Sequence, residues 1–208
     1  MLKLSLAAVA LAAATVAAPA LAQDSDLPAG TATAPDGTRA FGLDPYVAVM
    51  GGWEGFDRRP GHGIPAVGPN GNKLDGGLVQ GVVGFNVPLG PVFIGAEGNA
   101  AKGFSGDIDW EYGAAGRFGV RAGESGLFYG KVGYQWVNFD HFSARSTNGG
   151  NTGRDYSAIT YGIGAEVGPQ SIGLKGITGN AGFRIRAEVN TFGDAQSFRP
   201  MLGIITHF

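Results

Sequence analysis

His141, Phe142 and Ser143 place an imidazole two positions from a hydroxyl. At that spacing a histidine base can activate a serine toward an ester, provided a carboxylate orients the ring. Asp140 and Asp155 are near in sequence, but neither stands at a spacing that would do so, and chance proximity of loop residues is the favoured reading. Asp107, Asp109 and Glu111 recur at period 2 and put oxygen ligands for Ca²⁺ on one face. They lack the close loop spacing of a dedicated calcium site, which favours charges partnered by Arg117 or Arg121. His62, His141 and His207 have no zinc-ligand spacing. Gly126 to Lys131 falls short of a phosphate-binding loop, and Val132 stands where Ser or Thr is required. Arg58, Arg59 and Lys73 are cations that could touch phosphates, although such loop charges are more often solvated. No catalysis, metal or cofactor is expected.

Composition narrows what can hold these residues. The 208-residue chain has room for one domain plus tails, and 44% apolar content excludes wholesale disorder. Its 38 glycines are about 18% of the chain, against roughly 7% on average, so long helices are excluded. The net charge of −2 is spread along the chain, which leaves no footprint for nucleic acid. Cysteine is absent, and with it disulfides, thiolate catalysis and cysteine-based zinc sites.

Residues 1–22 read as a cleavable signal peptide: Lys3 is the positive start, an apolar run follows, and Ala20-Leu21-Ala22 is a small-x-small site before Gln23. Residues 23–43 read as a flexible leader, and 44–208 as the folded unit. Nothing after Gln23 is apolar for long enough to be a membrane helix, leaving a periplasmic, secreted or barrel-inserted protein.

From Asp44 the chain divides into segments near 45–54, 77–87, 92–102, 109–121, 127–138, 156–167, 181–191 and 198–208, separated by Gly, Pro, Asn and Asp. In the fourth, Trp110, Tyr112, Phe118 and Val120 alternate with Glu111, Arg117 and Arg121. In the fifth, Phe128, Val132, Tyr134 and Trp136 alternate with Lys131 and Gln135. The sixth sets Ile159, Tyr161 and Ile163 against Glu166; the seventh sets Phe183, Ile185 and Val189 against Arg184, Arg186 and Glu188. This is strand periodicity. The segment from Tyr46 to Trp53 is apolar on both faces and cannot be oriented.

A soluble sheet alternates too, so the decisive feature is the charged face. Glu97, Glu111, Arg117, Arg121, Lys131, Glu166, Arg184, Arg186 and Glu188 mix both signs with glycine, as suits an enclosed ion network. The apolar face carries Trp110, Tyr112, Phe118, Tyr134, Trp136, Tyr161 and Phe183, which would meet lipid and form its interfacial girdles. The fold class expected is all-β, an eight-stranded antiparallel transmembrane β-barrel in up-and-down order. With both ends periplasmic, the outer loops are 55–76, 103–108, 139–155 and 192–197.

Gly116-Arg117-Phe118-Gly119-Val120, Leu127 to Tyr134, Tyr161-Gly162-Ile163-Gly164-Ala165-Glu166, Phe183 to Glu188 and Leu202 to Phe208 resemble the opacity-protein group of OmpA and OmpX type barrels over roughly residues 77–208. Val189 and Thr206 depart from that pattern, which favours aromatic residues there. The resemblance implies an outer-membrane location, contact with outer-membrane lipid and lipopolysaccharide, and a terminal Phe208 read by the barrel-assembly machinery. It also implies a structural, envelope-integrity or adhesin-like surface role toward an external ligand, with no OmpA-type peptidoglycan-binding domain after the barrel. A narrow pore is one alternative. A lipid A-modifying enzyme at the rim, using His141 and Ser143, is the other.

Overall fold

The computed structural model describes residues 42–59, 61, 62, 64, 74–122, 126–139, 155–168 and 183–208. The signal segment, nearly all of the leader, Lys73 and the His141–Ser143 pair lie outside the described residues. The strands are β1 (Asp44–Phe56), β2 (Asp75–Leu89), β3 (Val92–Gly103), β4 (Ile108–Ala122), β5 (Gly126–Phe139), β6 (Asp155–Val167), β7 (Phe183–Phe192) and β8 (Ser197–His207). Each pairs antiparallel with its neighbour in sequence, and β1 pairs with β8 to close the barrel. Closure leaves no sheet edge with unpaired backbone groups. The strand count, order and approximate bounds match those expected from alternation.

Side chains sort by parity. Val49, Trp53, Val83, Ile94, Phe118, Phe128, Ile163, Leu202 and Ile204 point outward and are exposed, while Glu97, Arg117, Lys131, Glu166 and Arg186 point inward and are buried. This inverts a soluble barrel and is the arrangement of a transmembrane one. The segment that could not be oriented resolves as β1, with Asp44, Tyr46, Ala48, Met50 and Glu54 inward and Val49 and Trp53 outward.

One expected face does not form. A β-bulge between Ile108 and Trp110 breaks the parity of β4, so Ile108 and Glu111 are both buried and Asp109 is turned away from Glu111. Asp109 instead pairs with Lys102, whose ammonium lies over the Trp110 ring at 5.0 Å. Asp107, Asp109 and Glu111 therefore do not share a face.

At the end away from Asp44 and His207 the interior becomes apolar. Phe56, Ile64, Leu74, Phe139, Tyr156 and Phe192 form a cap with edge-on ring contacts, 5.8 Å between Phe56 and Phe139 and 5.6 Å between Phe56 and Phe192. Backbone bonds fasten the adjoining loops: Asp57 N donates to Gln196 O at 2.8 Å and Phe56 N to Leu74 O at 3.2 Å.

Inward glycines make room for inward rings. Tyr129 sits between Gly119 of β4 and Gly164 of β6 in the ladder, and a Cβ on Gly164 would lie 2.4 Å from the Tyr129 ring. Tyr46 uses Gly84 in the same way, with 2.5 Å to such an atom. Gly164→Ala should therefore cost about 1–3 kcal/mol through overpacking. Urea unfolding in lipid vesicles measures this, and the cost should shrink in a Tyr129→Ala background; an equal cost in both backgrounds would remove Tyr129 as its cause.

Candidate functional site

The charged positions converge on the lumen because parity sends them inward from every strand except β2. Glu97 of β3 is a hub. Its Oε1 lies 2.9 Å from Lys131 Nζ, and its Oε2 accepts from Arg186 Nη2 at 2.7 Å and from the Tyr46 hydroxyl at 2.8 Å. Glu188 of β7 is the second hub. Lys131 Nζ and Arg186 Nη2 each lie 2.5 Å from its oxygens, and Tyr129 and Asn190 each donate to it at 2.7 Å. Glu166 of β6 accepts from Arg117 Nη2 at 2.7 Å, with Arg184 Nη1 3.9 Å away. The Arg117 guanidinium also faces the Tyr129 ring at 3.9 Å and the Tyr46 ring at 4.9 Å. Cation–π contact covers the planar face that hydrogen bonds leave open.

Toward the barrel's chain ends, His207 bridges two carboxylates, with Nδ1 3.0 Å from Asp44 Oδ2 and Nε2 2.9 Å from Glu166 Oε2. Asn86 Nδ2 donates to the same Asp44 oxygen at 3.2 Å. Toward the apolar cap a smaller layer forms, where Arg199 Nη1 pairs with Glu111 Oε2 and lies 3.5 Å from Glu54 Oε2. Gln135 Nε2 donates to Glu111 Oε2 at 3.3 Å.

Glu97, Glu111, Arg117, Lys131, Glu166, Arg184, Arg186 and Glu188 all lie within this enclosure. Arg121, near the end of β4, is only half-buried. Glu111 meets Arg199 rather than Arg117 or Arg121. Parity alone missed Asp44, Glu54, Arg199 and His207, as well as the tyrosines Tyr46 and Tyr129. Arg199 had a visible signal, since it alternates with the outward Phe198 and shares the parity of the buried Met201 and Ile205. Asp44 and Glu54 had none until β1 could be oriented.

On the outer face Tyr112, Phe118, Tyr134, Tyr161 and Phe183 are exposed, while Trp110 and Trp136 are half-covered by neighbours. Tyr112 and Trp136 stack with centroids 5.5 Å apart, and the Tyr134 hydroxyl lies 2.9 Å from Ser157 Oγ. Arg58 and Arg59 are exposed beyond β1. Phe208 is half-buried, and its backbone N–H donates to Pro45 O at 3.0 Å.

The arrangement can hold ions against one another and hold strands together. Among the described residues, the hub carboxylates already engage cations or neutral donors. No family model and no curated protein matches the chain. Among solved structures it is similar to Ail, the attachment invasion locus protein of Yersinia pestis, crystallised in complex with the heparin analogue sucrose octasulfate (18% identity, TM-score 0.47, covering 80% of this chain and 97% of that chain). It is also similar to the N-terminal β-barrel domain of Pseudomonas aeruginosa OprF (11%, TM-score 0.47, 80% and 97%) and to the outer membrane protein OprG from the same organism (10%, TM-score 0.42, 81% and 97%). At such identities what those proteins bind stays with them.

Proposed function

We propose that this chain is a non-catalytic barrel of a Gram-negative outer membrane, exported by its N-terminal signal, with a structural or surface-interaction role. The observation that carries the reading is the inversion of polarity: a continuous apolar exterior surrounds a closed ionic interior. Such a surface is costly in water and stable in lipid. An adhesin-like or envelope-integrity role fits the connections 57–74 and 140–154, which leave the capped end and would face the exterior. Phe208 is then part of the signal that the barrel-assembly machinery reads, and lipopolysaccharide the lipid that meets the outer girdle.

A conducting pore is the weaker reading. Eight strands enclose a space that side chains just fill. Here Arg117, Arg186, Glu97 and Glu166 have fully buried side chains, and the aromatic cap lies above them. The rim-enzyme alternative rests on His141 and Ser143, which lie outside the described residues.

Membrane fractionation with heat-modifiable gel migration tests the location. Ile163, 70% exposed on β6, should meet acyl chains. Ile163→Arg should impair insertion by about 2–4 kcal/mol if that position is near the bilayer midplane. Unchanged heat-modifiable migration in that variant would show that this face does not touch lipid. Arg186→Met, which leaves both hub carboxylates short of a cation, should lower unfolding stability in vesicles by about 3–5 kcal/mol. In planar bilayers the wild type should show no sustained conductance; steady openings abolished by Arg117→Ala or Glu97→Ala would replace the structural reading with a pore.

A further inference from the structure

The two ionic regions of the lumen differ in charge balance. In the larger one Asp44, Glu97, Glu166 and Glu188 face Arg117, Lys131, Arg184 and Arg186, with His207 as an additional base. In the smaller one two carboxylates, Glu54 and Glu111, share a single guanidinium, and both approach the same Nη1 atom of Arg199. Asp44 and Glu54 are ten residues apart on β1, roughly 33 Å along the strand at ~3.3 Å per residue, so surplus charge at one end does not neutralise the other.

Among the described residues, nothing else around the smaller layer is placed to supply the missing positive charge. β2, β3 and β5 face it with Gln80, Asn99 and Gln135, and β6 with the Tyr156 hydroxyl on the cap side. The charged group beneath it on β7 is Glu188, already engaged by Lys131 and Arg186. Unpaired acceptors also outnumber unpaired donors: Glu54 Oε2, Glu111 Oε1 and the Oε1 atoms of the buried Gln80 and Gln135 have no donor, whereas only Gln80 Nε2 and Arg199 Nε among the layer's described groups lack an acceptor. A metal ion would have to sit against Arg199 with only two carboxylates to hold it. A hydrogen needs neither condition, since two carboxyl groups at one site cannot both ionise without a severe penalty.

We propose that Glu111, held with the Glu54 carboxylate against the one Arg199 guanidinium, keeps a proton at neutral pH, so that the layer beneath the apolar cap is a proton-binding site. Each glutamate is the chain neighbour of an outward tryptophan, Trp53 or Trp110, which places the pair at the level of the outer interface. In the unfolded chain both glutamates are ionised at neutral pH, and the folded state then carries one more proton. Folding stability must fall as pH rises through the range where only the folded state keeps it.

Infrared spectroscopy of the protein refolded in detergent at neutral pH reads the site directly. The wild type should show the carbonyl stretch of an un-ionised carboxylic acid, and Glu54→Gln and Glu111→Gln should each lose it. From just above the ordinary glutamate range upward, for as long as the folded state keeps the proton, the wild-type folding constant should drop by up to about tenfold per pH unit relative to Glu54→Gln, and any contribution of His207 cancels in that comparison. No such band in the wild type would overturn the proposal, and that measurement stands even if a variant fails to fold. So would a band that persists in both variants, or a stability that follows sodium or potassium concentration and not pH.

Discussion

An ionised side chain costs several kcal/mol in hydrocarbon, and an ion enclosed in protein costs as much unless it meets an opposite charge. Those two penalties, acting on a strand whose side chains alternate, dictate most of this barrel. Every charged residue in the middle of a strand must point inward, and every inward charge must find its partner within one narrow cross-section. Glycines at the inward positions Gly84, Gly119 and Gly164 follow, because a side chain there would collide with Tyr46 or Tyr129, the rings that cover Arg117. A slip of one residue in any strand pairing would turn its charges to the lipid, so the same alternation that sorts the faces also fixes the register.

The network supplies bonds that the sheet cannot. Ladder hydrogen bonds join only neighbouring strands, whereas the ion pairs cross the lumen. Glu97 of β3 reaches Lys131 of β5 and Arg186 of β7, Arg117 of β4 reaches Glu166 of β6, and Arg199 of β8 reaches Glu111 of β4. His207 ties the closing strand to both β1 and β6. A barrel braced in this way resists flattening. Each carboxylate hub holds more than one cation, so loss of a single residue strands several charges at once.

Much of this was legible in the sequence because lipid and lumen impose opposite requirements on adjacent residues. From Trp110 to Val189 the alternation of aromatic or branched residues with Glu, Lys and Arg marks both the strands and their faces. It fails at β1, where Tyr46, Ala48 and Met50 are as apolar as Val47 and Val49, because this part of the wall packs against other side chains rather than presenting an ion. The bulge beside Asp109 was also hidden, since a register shift depends on the partner strand and leaves no local composition signal. Pairing was the least legible feature. Arg186 and Glu97 are 89 residues apart, and which of several inward cations meets a given carboxylate depends on how the strands stagger around the closed barrel.

The cap reverses the rule that governs the rest of the lumen. Inward Phe56, Phe139 and Phe192 gain by excluding water from this end of the barrel, in the ordinary soluble sense. Water kept away from the ions beneath also lowers the local dielectric, which strengthens each satisfied pair and makes each unsatisfied group more expensive. The cap and the network are thus coupled: an ion layer under a dry seal must be neutral, whereas one open to solvent could carry surplus charge. Two glutamates on one arginine directly beneath that seal are the place where this requirement presses hardest.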